Sequence, residues 1–272
     1  MADVERLPKF KDPPVVETAL SVQFDPVPKF NNTHLGLFLH YLGKEWANAS
    51  DAPPLPAQFE RFEPVVSWEN MGVQFQLTQE IALRMQARNA SNDRMIQLQN
   101  GRLSFNWLGD SGIGYPSYDF VRPEFEAAAA RLSHFLSEHQ LGDLRPNQWE
   151  VTYLNHLPMG TVWKDTHEWA APFRHLIASP GSPAGTKAES FGGEWHYEIV
   201  PQRGRLHVQL KSAWRKNDGP EAILLLVLTA RGPAHSDGTD LLAGLDLGHE
   251  TIVRAFADLT TEYAQRIWNR TQ

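Results

Sequence analysis

Apolar positions along this chain recur with two periods, and each change of period marks a new element. Val16–Phe24 follows the rigid pair Pro13-Pro14 and reads as a strand. His34–Trp46 has helical spacing, with Leu35, Phe38, Leu39, Leu42 and Trp46 on one face. Ala52–Pro64 carries four prolines and reads as an irregular loop. Strict alternation follows in Gly72–Thr78 and in Ile81–Arg88. Met95–Gln99 and Arg102–Trp107 flank Asn100-Gly101, a pair that favours a tight hairpin turn. After a glycine-bearing loop at Gly109–Ser117, a helix is predicted over Asp119–Gln140, with Phe125, Ala128, Leu132, Phe135 and His139 on one stripe.

The order then recurs. Gln148–Leu157 reads as a strand, Trp163–Ile177 as a helix and Ser179–Lys187 as a loop. Glu194–Val200 and Arg205–Trp214 alternate on either side of a turn at Gln202-Arg203-Gly204. Glu221–Ala230 is apolar on both faces, and Leu241–Trp268 carries a final helical stripe. The expected fold is therefore α+β. Two β-α-β-α units, residues 1–145 and 146–272, would form one compact antiparallel sheet with long helices on one face. This order is similar to the TATA-binding-protein-like unit and, less closely, to the helix-grip fold.

Alternation also fixes what the opposite sheet face carries. If the apolar sets meet the helices, the other face presents Arg84, Gln86 and Arg88, then Gln97 and Gln99, then Glu194, His196, Glu198, His207, Gln209 and Lys211. Antiparallel sheets commonly leave one such face to solvent. An excess of long amide and guanidinium groups over Lys and Glu also suits hydrogen-bonded recognition of an extended ligand.

Composition narrows the functions. The chain has 272 residues, 42% of them hydrophobic, with no cysteine and a formal net charge of −7. Disulfides, thiol catalysis and cysteine-based zinc sites are excluded. The charge disfavours nucleic acid as a partner. No apolar run approaches the length of a membrane span, and the first residues lack the apolar core of a secretory signal, so a cytoplasmic location is expected. The Gly109-Asp110-Ser111-Gly112 tetrapeptide has no accompanying triad, and the four Asn-x-Ser/Thr triplets lack an export context.

The sharpest chemical cluster is His196, Glu198 and His207 with Glu194 beside them. Carboxylates flanking a histidine can orient it as a general base, and the same donor types can hold a divalent ion. Cross-strand charge pairing on a surface is the default explanation of the pattern. His249 lies on an apolar helical stripe, which makes it a core or capping histidine by default, and His156 sits near the end of the strand that also carries Tyr153.

Several segments resemble an uncharacterised bacterial family described as sporadically distributed. They are Pro13-Pro14-Val15-Val16-Glu17, Gln97-Leu98-Gln99, Phe105-Asn106-Trp107, Tyr115-Pro116-Ser117-Tyr118, Val151–Asn155 and a last helix bearing His249, Phe256, Thr260 and Trp268. The resemblance implies a bacterial cytosolic protein of patchy occurrence, the pattern of defence-linked or toxin–antitoxin genes, and transfers no catalytic residue. The expected function is binding of a protein or peptide. The expected contacts are Arg84, Gln86, Arg88, Trp107, Tyr115 and Tyr118, since interfaces favour arginine and aromatic anchors. No cofactor or metal is expected, and the free sheet edges admit a homodimer. The alternative is a hydrolase, metal-dependent or acid–base, on His196, Glu198 and His207.

Overall fold

The computed structural model describes residues 6–46, 48–62, 82–109, 114–178, 183–216 and 219–272. The expected strand Gly72–Thr78, residue Ile81 and Asp110–Gly112 lie outside them. The strands are β1 (Val15–Phe24), β2 (Asn48–Ala52), β3 (Arg84–Arg88), β4 (Arg94–Gln99), β5 (Arg102–Leu108), β6 (Pro146–Pro158), β7 (Gly192–Ile199), β8 (Gly204–Lys216) and β9 (Pro220–Pro233). The helices are α1 (Asn32–Leu42), α2 (Tyr118–Glu138), α3 (Leu241–Leu259) and α4 (Glu262–Ile267). The nine strands among the described residues join one antiparallel sheet in the order β2-β3-β4-β5-β1-β6-β9-β8-β7. The two halves of the chain meet where β1 pairs with β6, Leu20 opposite Val151 and Val22 opposite Trp149. Among the described residues, no helix is long and apolar enough to cross a membrane.

Side-chain parity sets the layers. Leu20 and Val22 of β1, Leu98 of β4, Leu103 and Phe105 of β5, Trp149 and Val151 of β6, and Leu226 and Leu228 of β9 are all buried. They share the face that α2 and α3 cover, where Phe125, Leu132, Leu245 and Ile252 are fully buried. The Asn100-Gly101 hairpin forms as expected, with Gly101 at a φ of 109°. The Asn100 side chain also binds outward, accepting from Val27 N–H and donating to the Val27 and Phe30 carbonyls.

Two expected helices are corrected. Residues 163–177 make only one short turn, Thr166–Glu168, started by Asp165 accepting from His167 N–H. Pro172 has no N–H to continue a ladder, and His175 takes a positive φ of 61°. The segment buries Trp163, Trp169, Phe173 and Leu176 without helical regularity. The final helix is also broken. Thr260 is extended and bridges to Phe173. The buried Gln265 amide donates to the Ala257 and Thr260 carbonyls, satisfying groups the break leaves open.

Candidate functional site

The polar face exists as the alternation predicts, but its centre is not open to solvent. Ser21, Gln23, Gln97, Gln99, Arg102, Ser104, Asn106 and Gln148 are all buried. Residues 53–62, which leave the edge strand β2, run across this face, and three glutamines bind their backbone. The Gln99 amide accepts from Leu55 N–H at 2.8 Å and donates to Leu55 C=O at 2.8 Å. The Gln23 amide accepts from Gln58 N–H at 2.8 Å and donates to Gln58 C=O at 3.1 Å. Gln148 accepts from Glu60 N–H at 3.3 Å. The spacing follows from geometry. Gln99 and Gln23 stand two strands apart, about 10 Å, which is the length of three extended residues. Each amide offers N–H donors and a carbonyl acceptor, matching both backbone groups of a residue without reading its side chain.

The strap ends in an ion-pair network. Glu60 has a side chain 3% exposed and accepts from Arg205 at 2.5 Å, from His207 Nε2 at 2.6 Å and from Arg231 at 3.1 Å. Arg231 also donates to Glu150 at 2.6 Å, and Arg102 donates to Glu150 at 2.9 Å and to Gln23 at 3.2 Å. Burial pushes the Glu60 carboxyl up, but His207, Arg231 and Arg205 outweigh it and hold the group below the ordinary glutamate value.

The candidate residues distribute unequally around this site. Arg84 and Gln86 lie on the polar face and both donate to Gln97 Oε1, at 2.9 and 3.0 Å. Arg88 shares that face, half-buried. Burial and the neighbouring Arg102 charge lower the Arg84 pKa. Trp107 is no exposed anchor. It is 2% exposed and packs edge-on against Tyr115. His196 and His207 face each other across β7 and β8, their ring centroids 4.6 Å apart. Glu198 turns away from them and accepts from Gln202 N–H in its own turn, while Glu194 binds His196 Nε2 at 2.9 Å. Glu60, Gln23, Gln148, Glu150 and Arg231 were not among the sequence candidates. Gln23 and Gln148 carried a signal in strand parity, whereas Glu60, in a proline-rich loop, carried none.

Tyr115 and Tyr118 belong to a second site, on the helix side of the sheet. They line a cavity of about 540 Å³ closed by residues 7–15, the start of α2, β6 and α3. Tyr115 and Tyr153 hydroxyls lie 2.8 Å apart, and Tyr153 Oη lies 2.8 Å from His249 Nδ1. Tyr118 stacks on His249 with centroids 4.0 Å apart and donates to Asp246. Burial raises the Tyr115 pKa to about 12 and that of Tyr153 well above 10, and it lowers His249 to about 4. All three groups are neutral at pH 7, a polar chain suited to hydrogen bonding and poorly matched to proton transfer at that pH. Because His249 is held neutral, the unfolded chain binds more protons below pH 6.5. Stability falls as pH drops from 6.5 towards 4, by roughly 1–2 kcal/mol between pH 7 and pH 5. Urea titrations at the two pH values are expected to show that loss, and His249→Gln to reduce it.

Comparison of the chain with family models, curated proteins and solved structures finds no match to any of them.

Proposed function

We propose that this chain is a binding protein that holds an extended, acid-bearing peptide across its polar sheet face, with its own residues 53–62 as the resident occupant. The observation that carries the reading is the paired amide contact of Gln99 with Leu55 and of Gln23 with Gln58. Such contacts give affinity through the main chain and tolerate many sequences, as in other modes of extended-peptide recognition. Specificity comes from the far end, where Arg205, His207 and Arg231 converge on one carboxylate. Arg84 and Arg88 extend the positive character towards the β3 edge and favour acidic partners. The resemblance to the sporadically distributed bacterial family supports a cytosolic setting and a protein partner of the defence-linked or toxin–antitoxin kind.

A tethered occupant competes at an effective concentration in the millimolar range. A labelled peptide with the sequence of residues 53–62 is therefore expected to bind the intact chain weakly. It is expected to bind at least about tenfold more tightly to a chain in which Leu55–Glu60 are replaced by a six-residue Gly/Ser linker. Fluorescence polarisation measures both, with circular dichroism to confirm the fold. Gln99→Ala in the linker chain should weaken the complex again. A folded linker chain that takes up no peptide would refute the reading. Hydrogen exchange on the intact chain gives a second test: Leu55 and Gln58 amides as slow to exchange as the central strands would mark the strap as a fixed part of the core.

A further inference from the structure

The geometry points to a binding site for one divalent transition ion of the zinc class, formed by Glu194, His196 and His207 at the β7 edge of the sheet. One donor atom from each of the three side chains lies within 4.8 Å of the other two. His196 and His207 are directly opposed across antiparallel strands, and Glu194 precedes His196 by two residues, so all three point from the same face. Two imidazoles and a carboxylate are the donor types a zinc-class ion prefers, and three protein ligands leave its fourth position to water.

The surroundings fit as well as the ligands. A metal-binding histidine usually gives its second nitrogen to a carboxylate, which fixes the ring and its tautomer. His207 does this already, with Nε2 held by the buried Glu60 at 2.6 Å, so the proposed ligand atom is its other ring nitrogen. Glu60 is in turn fixed by Arg205 and Arg231. Gln209 donates to Glu194 at 3.3 Å. An ion about 2.1 Å from each donor would hold the donors about 3.4 Å apart. His196 and Glu194, each about half exposed at 49% and 48%, are free to close that gap on the anchored His207. Because Glu60 belongs to the strap, strap and ion are linked: lifting Glu60 off the face weakens the ion, and the bound ion resists lifting by the same factor.

The test uses the full chain without a histidine tag, stripped with chelator, and titrates zinc by calorimetry. One ion per chain at micromolar affinity or tighter is expected, with no comparable heat from magnesium or calcium. Cobalt should give the visible absorption of a four-coordinate ion. His196→Ala, an exposed change that leaves the core intact, should weaken zinc at least 100-fold. Glu60→Gln, which keeps all three metal ligands, should weaken it about 10- to 100-fold. Glu198→Ala should change nothing, since that carboxylate serves its own turn. Absence of stoichiometric binding below 100 μM on the order set by the titration, equal affinity in His196→Ala, or loss of the ion in Glu198→Ala would overturn the assignment. None of these readouts depends on peptide uptake, so the site stands or falls apart from the peptide reading.

Discussion

Glu60→Ala is expected to cost about 3 kcal/mol of stability, read from urea or thermal unfolding of the full chain. The size follows from what is left behind. Glu60 is nearly inaccessible and serves three cationic or donor groups, so its removal leaves His207, one arm of Arg231 and one arm of Arg205 without their acceptor, with Arg205 keeping only the Arg61 carbonyl. An uncompensated buried group costs more than the net value of the bond it has lost. Glu60→Gln keeps one acceptor and the side-chain volume, and should cost about half as much. The two variants should also differ from the parent in acid. The Glu60 carboxyl sits below its ordinary value of 4.5, so its contribution is complete above that pH and disappears as pH falls through the lower folded value. Below that point, the parent should approach the variants in stability. A parent that keeps its full advantage at pH 2 would show that the carboxylate charge is not what holds the strap.

The residues that hold Glu60 show how far the chain could be read without coordinates. The polar face was legible because β-strand parity is strict: once Val22 and Leu20 are assigned inward, Gln23 and Ser21 must point the other way. His196 opposite His207 was legible for the same reason, since the turn at Gln202–Gly204 sets the register. What covers the face was not legible. Residues 53–62 make no periodic pattern, their prolines forbid a ladder, and their partners lie up to 171 positions away, as with Glu60 and Arg231. The choice between Glu194 and Glu198 also depended on something local parity cannot supply, namely that Glu198 is taken by Gln202 N–H. The helix expected at residues 163–177 failed for a related reason. Trp163, Trp169, Phe173 and Leu176 have helix-like spacing, but each is buried by long-range packing rather than along one helical face. Tyr118, Tyr153 and His249 come from three separate elements and Tyr115 from the loop before α2, and only the packing of α2 and α3 on β6 makes them one cavity.

Trp149→Ala is expected to be the most damaging single change in the sheet, at about 4 kcal/mol. The indole is 2% exposed and lies in a cradle of glycines drawn from three elements. A Cβ at Gly244 of α3 would stand 2.3 Å from Trp149 Cδ1, one at Gly248 would stand 2.8 Å from its ring, one at Gly232 of β9 2.5 Å, and one at Gly204 of β8 3.0 Å. At Gly244 and Gly248 the indole fills the space a side chain would need, while at Gly232 and Gly204 the Arg203 and Arg231 carbonyls crowd it as well, at 2.3 and 2.6 Å. Gly244→Ala should therefore cost about 2 kcal/mol by overpacking, although alanine is the better helix former. The double variant separates this cause from a backbone effect. With the indole gone, the new methyl enters vacated volume, so Trp149→Ala with Gly244→Ala should cost at least 1 kcal/mol less than the sum of the two. Strict additivity would mean that the glycine serves the helix backbone rather than the tryptophan. The consequence reaches the other face. Gln148 and Glu150 flank Trp149 on β6 and point at the strap and at Arg231, so a cavity on the helix side loosens the strand that presents them. Peptide uptake by a Trp149→Ala chain that remains folded should weaken together with its stability, because one strand carries the core on one face and the binding groups on the other.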